Sequence, residues 1–183
     1  MAARNIVLVG FMGTGKTSVA NILARNTGMP MIDMDAVIET RAGKPISRIF
    51  AEEGESAFRQ YEQGLAAELS TPQGCIISTG GGIVKDPGNI RLLQKGGLVV
   101  CLNAGVDEIL RRVEHDATRP LLQTPDRRAK VESLLAERAP LYAAIPFQIN
   151  TRGRTVESIA DEILAAMRDL AANEITRPDT LHV

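Results

Sequence analysis

The richest chemistry in the sequence lies at Gly10-Phe11-Met12-Gly13-Thr14-Gly15-Lys16-Thr17, which matches G-x-x-x-x-G-K-[ST] between an apolar run and a helix-period stretch. That context is what the motif requires. Glycines let the loop wrap with its backbone N–H groups turned inward, and the following helix adds the positive end of its dipole. Lys16 reaches the outer phosphates, and Thr17 offers an oxygen to Mg²⁺. The spacing implies a nucleoside triphosphate site.

Other groups would complete a phosphoryl transfer. Asp33 and Asp35, in Met31-Ile32-Asp33-Met34-Asp35, close a short apolar run, where open α/β sheets present ligand-binding groups. If Asp33 faces the phosphate loop it can hold Mg²⁺ through water, while Asp35 orients or deprotonates an acceptor hydroxyl. The plainer alternative makes Asp35 a helix cap and Asp33 a turn residue. Arg59 and Glu62 stand three apart on one helix face, and Arg138 lies in Glu137-Arg138-Ala139-Pro140-Leu141-Tyr142. Two guanidinium groups converging on a pocket suit a carboxylate, although such residues are often solvated instead. Gly80-Gly81-Gly82 follow another apolar run, and three glycines at a strand's carboxyl edge suggest close approach of a ligand or of other backbone. Arg119, in Arg119-Pro120-Leu121-Leu122, stands where a closing loop would carry an arginine to the transferring phosphoryl group; a solvated surface arginine is the alternative.

Short apolar runs alternating with helix-period stretches must position these groups, a pattern that demands a parallel sheet covered on both faces. Strands are expected at residues 5–9, 30–34, 75–78, 98–102 and 147–150. Helices are expected at 16–26, stopped by Gly28, at 35–41, stopped by Gly43, and at 46–69, broken near Gly54. Further helices fit 87–94, 106–113, 126–143 and 155–170. Residues 114–125 are polar and aperiodic with two prolines, a length at which a functional lid is the common reading. One domain is expected over residues 1–171, followed by a tail at 172–183.

Composition narrows the partners. The 183 residues carry 21 Lys plus Arg against 22 Asp plus Glu, and with two Tyr, four Phe and no Trp there is neither a net field nor a set of stacking platforms for nucleic acid. Cys75 and Cys101 each sit in an apolar run and read as buried thiols of a reducing compartment, and two His give no zinc-type set. No long apolar segment signals a membrane span, so a cytoplasmic monomer is expected.

Together, the phosphate loop, Asp33-Met34-Asp35, Phe58-Arg59 with Glu62, the triple glycine, Arg119-Pro120-Leu121-Leu122 and Arg138-Ala139-Pro140-Leu141-Tyr142 resemble the shikimate kinase family over residues 5–165. The resemblance implies an α/β fold of the P-loop nucleoside monophosphate kinase type. That fold has a five-stranded parallel sheet with helices on both faces, a substrate-binding helical region at 35–69 and a short lid at 114–125. It implies transfer of the ATP γ-phosphoryl group to the 3-hydroxyl of shikimate, on the way to chorismate and the aromatic amino acids. By the same resemblance Lys16, Asp35 and Arg119 are the catalytic groups, and Thr17 and Asp33 serve Mg²⁺. Gly13, Thr14, Gly15, Lys16, Thr17, Ser18, Arg112, Arg119 and Arg154 would contact ATP. Asp35, Phe50, Phe58, Arg59, Gly80, Gly81, Gly82 and Arg138 would contact shikimate. Thr151-Arg152-Gly153-Arg154 lacks the proline that the family often carries against adenine, and Ile83 replaces a common Ala. Two other readings remain: another P-loop kinase, for gluconate or a nucleotide, and a kinase-like sensor that binds ATP and a carboxylate without turnover.

Overall fold

The computed structural model describes residues 4–113 and 126–175. The expected lid, with Arg119, lies outside the described residues. Five strands form one parallel sheet: β1 (Asn5–Gly10), β2 (Met31–Asp33), β3 (Ile76–Ser78), β4 (Gly97–Asn103) and β5 (Phe147–Asn150), in the order β2-β3-β1-β4-β5. Around them lie α1 (Lys16–Thr27), α2 (Met34–Ala42), α3 (Ile46–Glu52), α4 (Gly54–Glu68), α5 (Pro87–Gly96), α6 (Val106–Val113), α7 (Arg127–Ala143) and α8 (Val156–Ile175). β1 is central: it is buried throughout and pairs on both sides, Leu8 with Ser78 of β3 and with Val100 of β4.

Alternation along the strands divides the core. Val7 and Val9 of β1, Ile77 of β3 and Val99 and Cys101 of β4 face one side, where they meet Phe58, Leu65, Leu93 and Leu134 from α4, α5 and α7. Ile6, Leu8, Ile76, Val100 and Leu102 face the other, against Val19, Ala20 and Leu23 of α1 and Ile159, Ala160 and Ile163 of α8. Each fully buried Val, Leu or Ile contributes roughly 1.5–3 kcal/mol. The result is a rigid sheet whose carboxyl edge carries the phosphate loop, the two aspartates and the three glycines.

The clearest departures from the expected element boundaries lie in β2 and α8. β2 spans only Met31–Asp33, and Met34 opens α2 instead of ending the strand, because Asp33 caps that helix. The expected break near Gly54 is present: it separates α3 from α4, with Gly54 at a left-handed φ of 84°. α8 runs to Ile175, past the expected end at residue 170 and into the expected tail, since Ala171, Ala172, Asn173 and Glu174 include no breaker and Pro178 is the first proline beyond.

Candidate active site

The phosphate loop leaves β1 at Gly10 and enters α1 at Lys16. Gly15 caps α1 at φ 98°, a left-handed conformation that a side chain would strain. Inside the loop the Thr14 hydroxyl donates to Phe11 O at 2.8 Å, and the Lys16 ammonium donates to Gly10 O at 2.8 Å and Phe11 O at 3.0 Å. Lys16 is therefore held over the loop, while Thr17 and Ser18 stand exposed on the first turn of α1. The end of α6 braces the loop from outside. Arg112 donates to Gly13 O at 3.2 Å and to the Thr151 hydroxyl at 3.1 Å, and a Cβ on Gly13 would come within 2.9 Å of Val113. Arg154 is engaged elsewhere, with Glu162 and with Ser158 O on α8.

At the end of β2, Asp33 Oδ1 accepts the N–H groups of Asp35 at 3.1 Å and Ala36 at 3.2 Å. The capping role thus falls to Asp33, the reverse of the sequence alternative, and it fixes Asp35 in the first turn of α2. Asp35 lies against the triple glycine.

Those three glycines need no left-handed backbone; each is closely approached by another group of the site. A Cβ on Gly80 would lie 2.6 Å from Asp35 Oδ1 and 3.1 Å from Glu62 Oε1. One on Gly81 would lie 3.3 Å from Met12 N and 3.6 Å from Gly10 O of the phosphate loop. One on Gly82 would lie 2.6 Å and 2.7 Å from the Nη1 and Nη2 of Arg59. Successive residues of one turn therefore touch the acid, the phosphate loop and an arginine.

The second arginine arrives from α7. Arg138 is buried, donates from Nη1 to Gly81 O at 3.2 Å and stacks over Phe11 of the phosphate loop with Cζ 5.7 Å from the ring centroid. Tyr142, one turn on, donates its hydroxyl to the same carbonyl at 2.6 Å, and burial pushes that phenol above its ordinary pKa. With its carbonyl turned to α7, the trans peptide directs the Gly82 N–H away from that helix. Arg59 is pinned between Glu62 and Glu55: it pairs with Glu62 Oε2, and its Nη2 donates to Glu55 Oε1 at 2.8 Å. Phe58 lies under Arg59 with Cζ 5.3 Å from its ring, and the exposed Phe50 packs on Phe58 at 5.0 Å between centroids.

Two buried polar atoms in this cluster, Glu62 Oε1 and Arg138 Nε, have no hydrogen-bond partner among the described residues. Such atoms are costly unless something polar meets them, which marks the pocket as one that receives a polar ligand. Burial holds the Glu62 carboxyl above its ordinary pKa against the pull of Arg59, with the charge of Asp35 adding to the rise.

The structure thus gathers Lys16, Asp35, Arg59, Gly80, Gly81, Gly82 and Arg138, with Phe58 and Phe50 on the flank. Tyr142, Phe11 and Glu55 also belong to the cluster, and sequence reasoning did not single them out. Their signals were slight: Tyr142 and Glu55 each stand four residues from a chosen arginine, and Phe11 sits at a variable position of the loop motif. For Mg²⁺, a hydroxyl at Thr17 and a carboxylate at Asp33 are the hard oxygen donors that the ion favours. Among the described residues no cluster of three or more His, Cys, Asp or Glu would hold a metal.

A parallel sheet of this order with a phosphate loop at its centre, and an acid and two arginines around a glycine turn, defines a P-loop small-molecule kinase. The family model for shikimate kinase matches residues 12–168, and the chain belongs to the shikimate kinase family. It is 41% identical over 161 residues to a shikimate kinase of Thermodesulfovibrio yellowstonii, covering 88% of this chain and 93% of that one. It superposes on a shikimate kinase from Acinetobacter baumannii in complex with shikimate with a TM-score of 0.85 and 36% identity, over 92% of this chain and 94% of that one. A gluconokinase from Sinorhizobium meliloti shares the fold alone, at a TM-score of 0.63 and 19% identity over 94% of this chain and 95% of that one.

Proposed function

We propose that this site moves the γ-phosphoryl group of ATP to the 3-hydroxyl of shikimate. The observation that carries the reading is the glycine turn, which sets the Asp35 carboxylate, the phosphate loop and Arg59 side by side. Membership of the shikimate kinase family supports it.

In this reading Arg59 and Arg138 hold the substrate carboxylate, a bidentate partner suited to guanidinium. Phe50 and Phe58 border the ring. Asp35 accepts the hydrogen of the reacting hydroxyl and aims its oxygen at the γ-phosphorus. As the new O–P bond forms, the bond to the β-phosphate oxygen breaks, ADP departs and the hydroxyl proton passes to Asp35. Lys16 and the loop N–H groups stabilise the equatorial charge, while Arg112 braces the loop beside the nucleotide. Thr17 and, through water, Asp33 would hold Mg²⁺, which would supply positive charge beside the phosphates. We assign to Arg119 the role of a lid cation on the ATP phosphates.

The chain acts as a monomer in the cytoplasm: Phe50 and Leu170 are the only exposed large hydrophobics among the described residues, and both cysteines are free and buried. Also among these residues, no helix is long and apolar enough to cross a membrane.

The test is ADP release from MgATP with shikimate, gluconate or nucleoside monophosphates supplied separately, and Lys16→Ala protein as the blank. Turnover with shikimate, lost in the blank, is expected. Turnover only with another acceptor would discard the carboxylate pocket, and tight MgATP binding without turnover would favour a sensor.

A further inference from the structure

One cation beside the carboxylate pocket belongs neither to the phosphate loop nor to the arginine pair. Lys85 ends the short 3-10 turn Ile83–Lys85, and its backbone N–H donates to Gly82 O at 3.0 Å, so it is tied to the glycine that Arg59 abuts. Its Nζ lies 2.9 Å from Glu55 Oε1 on α4 and 3.8 Å from Glu137 Oε1 on α7, beside Arg138 in sequence. Glu55 Oε1 is the same oxygen that accepts from Arg59 Nη2 at 2.8 Å and Nε at 3.2 Å. A single carboxylate oxygen therefore serves both the lysine and the substrate-facing arginine. Lys85 is the first of the two cations that together draw the Glu55 carboxyl down to about 2.

The charge pattern explains why a third cation belongs there. Arg59 already faces two acids, Glu55 and the buried Glu62, before any substrate carboxylate approaches. An incoming anion must share Arg59 with both and must come close to the charge of Glu55. A lysine on the shared oxygen offsets that charge and holds Glu55 to the side. We propose that Lys85 is a positioning residue for the substrate carboxylate, acting through Glu55 to keep Arg59 available. It rests on the acceptor being a carboxylate, as proposed above.

The test is a double-mutant cycle read in steady-state kinetics. Lys85→Met should raise the KM for shikimate about three- to fivefold, the scale of a partly exposed ion pair, with the KM for ATP unchanged and kcat within about twofold. Lys85→Arg should restore the KM. In the Lys85→Met, Glu55→Gln double variant the KM should fall back toward wild type, because Gln keeps the hydrogen-bond acceptor and leaves no charge to offset. A lysine that touched substrate directly, or merely stabilised the turn, would not be rescued by removing Glu55's charge. An unchanged KM in Lys85→Met, or a double variant worse than the single one, would overturn the proposal. Absence of turnover in the wild type with shikimate would show instead that the acceptor is wrong, and would remove the proposal with it.

Discussion

Replacing Gly82 by alanine isolates one contact of the pocket. The backbone at Gly82, with φ −99° and ψ −2°, accepts any residue, so the new methyl brings no conformational strain. It would, however, lie 2.6 Å from Arg59 Nη1 and 2.7 Å from Nη2, and ordinary contact starts near 3.4 Å. The guanidinium must withdraw by about 0.8 Å, a displacement at which contacts to a reacting ligand lose up to about 100-fold in efficiency. Losing one charge-assisted hydrogen bond costs about 1.5–3 kcal/mol, which is roughly 10- to 100-fold. The KM for shikimate should therefore rise by about 10- to 100-fold in Gly82→Ala. The KM for ATP should not change, since the phosphate loop meets Gly81 and not Gly82. Folding should hardly notice: the moved atoms end a flexible side chain, and alanine at a compatible site adds about 0.4–1 kcal/mol through the unfolded state. Thermal melting and initial rates against each substrate are the measurements. An unchanged KM for shikimate, or a Tm lowered by more than about 5 °C, which is over 1 kcal/mol for a chain of this size, would refute the steric reasoning.

Asp35→Asn should lower kcat by about 10²- to 10⁴-fold while the affinity for MgATP, measured by calorimetry, stays as in the wild type. Asn5 is fully buried and joins β1 to the segment after α4, donating to Leu69 O and Thr71 O and accepting from Gln73 N and Cys75 N. Asn5→Ala should cost about 2–4 kcal/mol in denaturant unfolding and leave both KM values alone. Glu55 titrates near 2 when folded and near 4.5 when free, so its pairs stabilise the fold above about pH 4.5 and are lost as pH falls toward 2. The Tm difference between wild type and Glu55→Gln should therefore be small at neutral pH, worth less than about 1 kcal/mol at this exposed position, and vanish near pH 2.

Much of this architecture was legible because local signals agreed. All five strands stand at the expected apolar runs, and Gly28, Gly43 and Gly54 mark helix ends or breaks as their sequence positions suggested. The short β2 was overestimated because Met34 reads as strand by hydrophobicity, while the cap from Asp33 decides the matter. The phosphate loop was legible as contiguous chemistry. The carboxylate pocket was only partly so, because α4, the glycine turn and α7 meet through tertiary packing that spacing does not encode. Arg59 and Glu62 were visible as a pair, but the burial of Glu62 against the turn at Gly80 comes from tertiary packing. Lys85 and Tyr142 stand close in sequence to residues already chosen, but their partners, Glu55 on α4 and Gly81 O, are brought to them only by the fold.

The most direct measurement is the position of the phosphate on the product, read by ³¹P–¹H correlation NMR after the protein turns over MgATP and shikimate. Arginines on the carboxylate and Asp35 on one hydroxyl fix a single orientation, so one monoester at the 3-hydroxyl is predicted, with one ADP formed per ester. A mixture of esters, a single ester at another hydroxyl, or ADP formed without any ester would contradict the arrangement of Asp35, Arg59 and Arg138 proposed for this site.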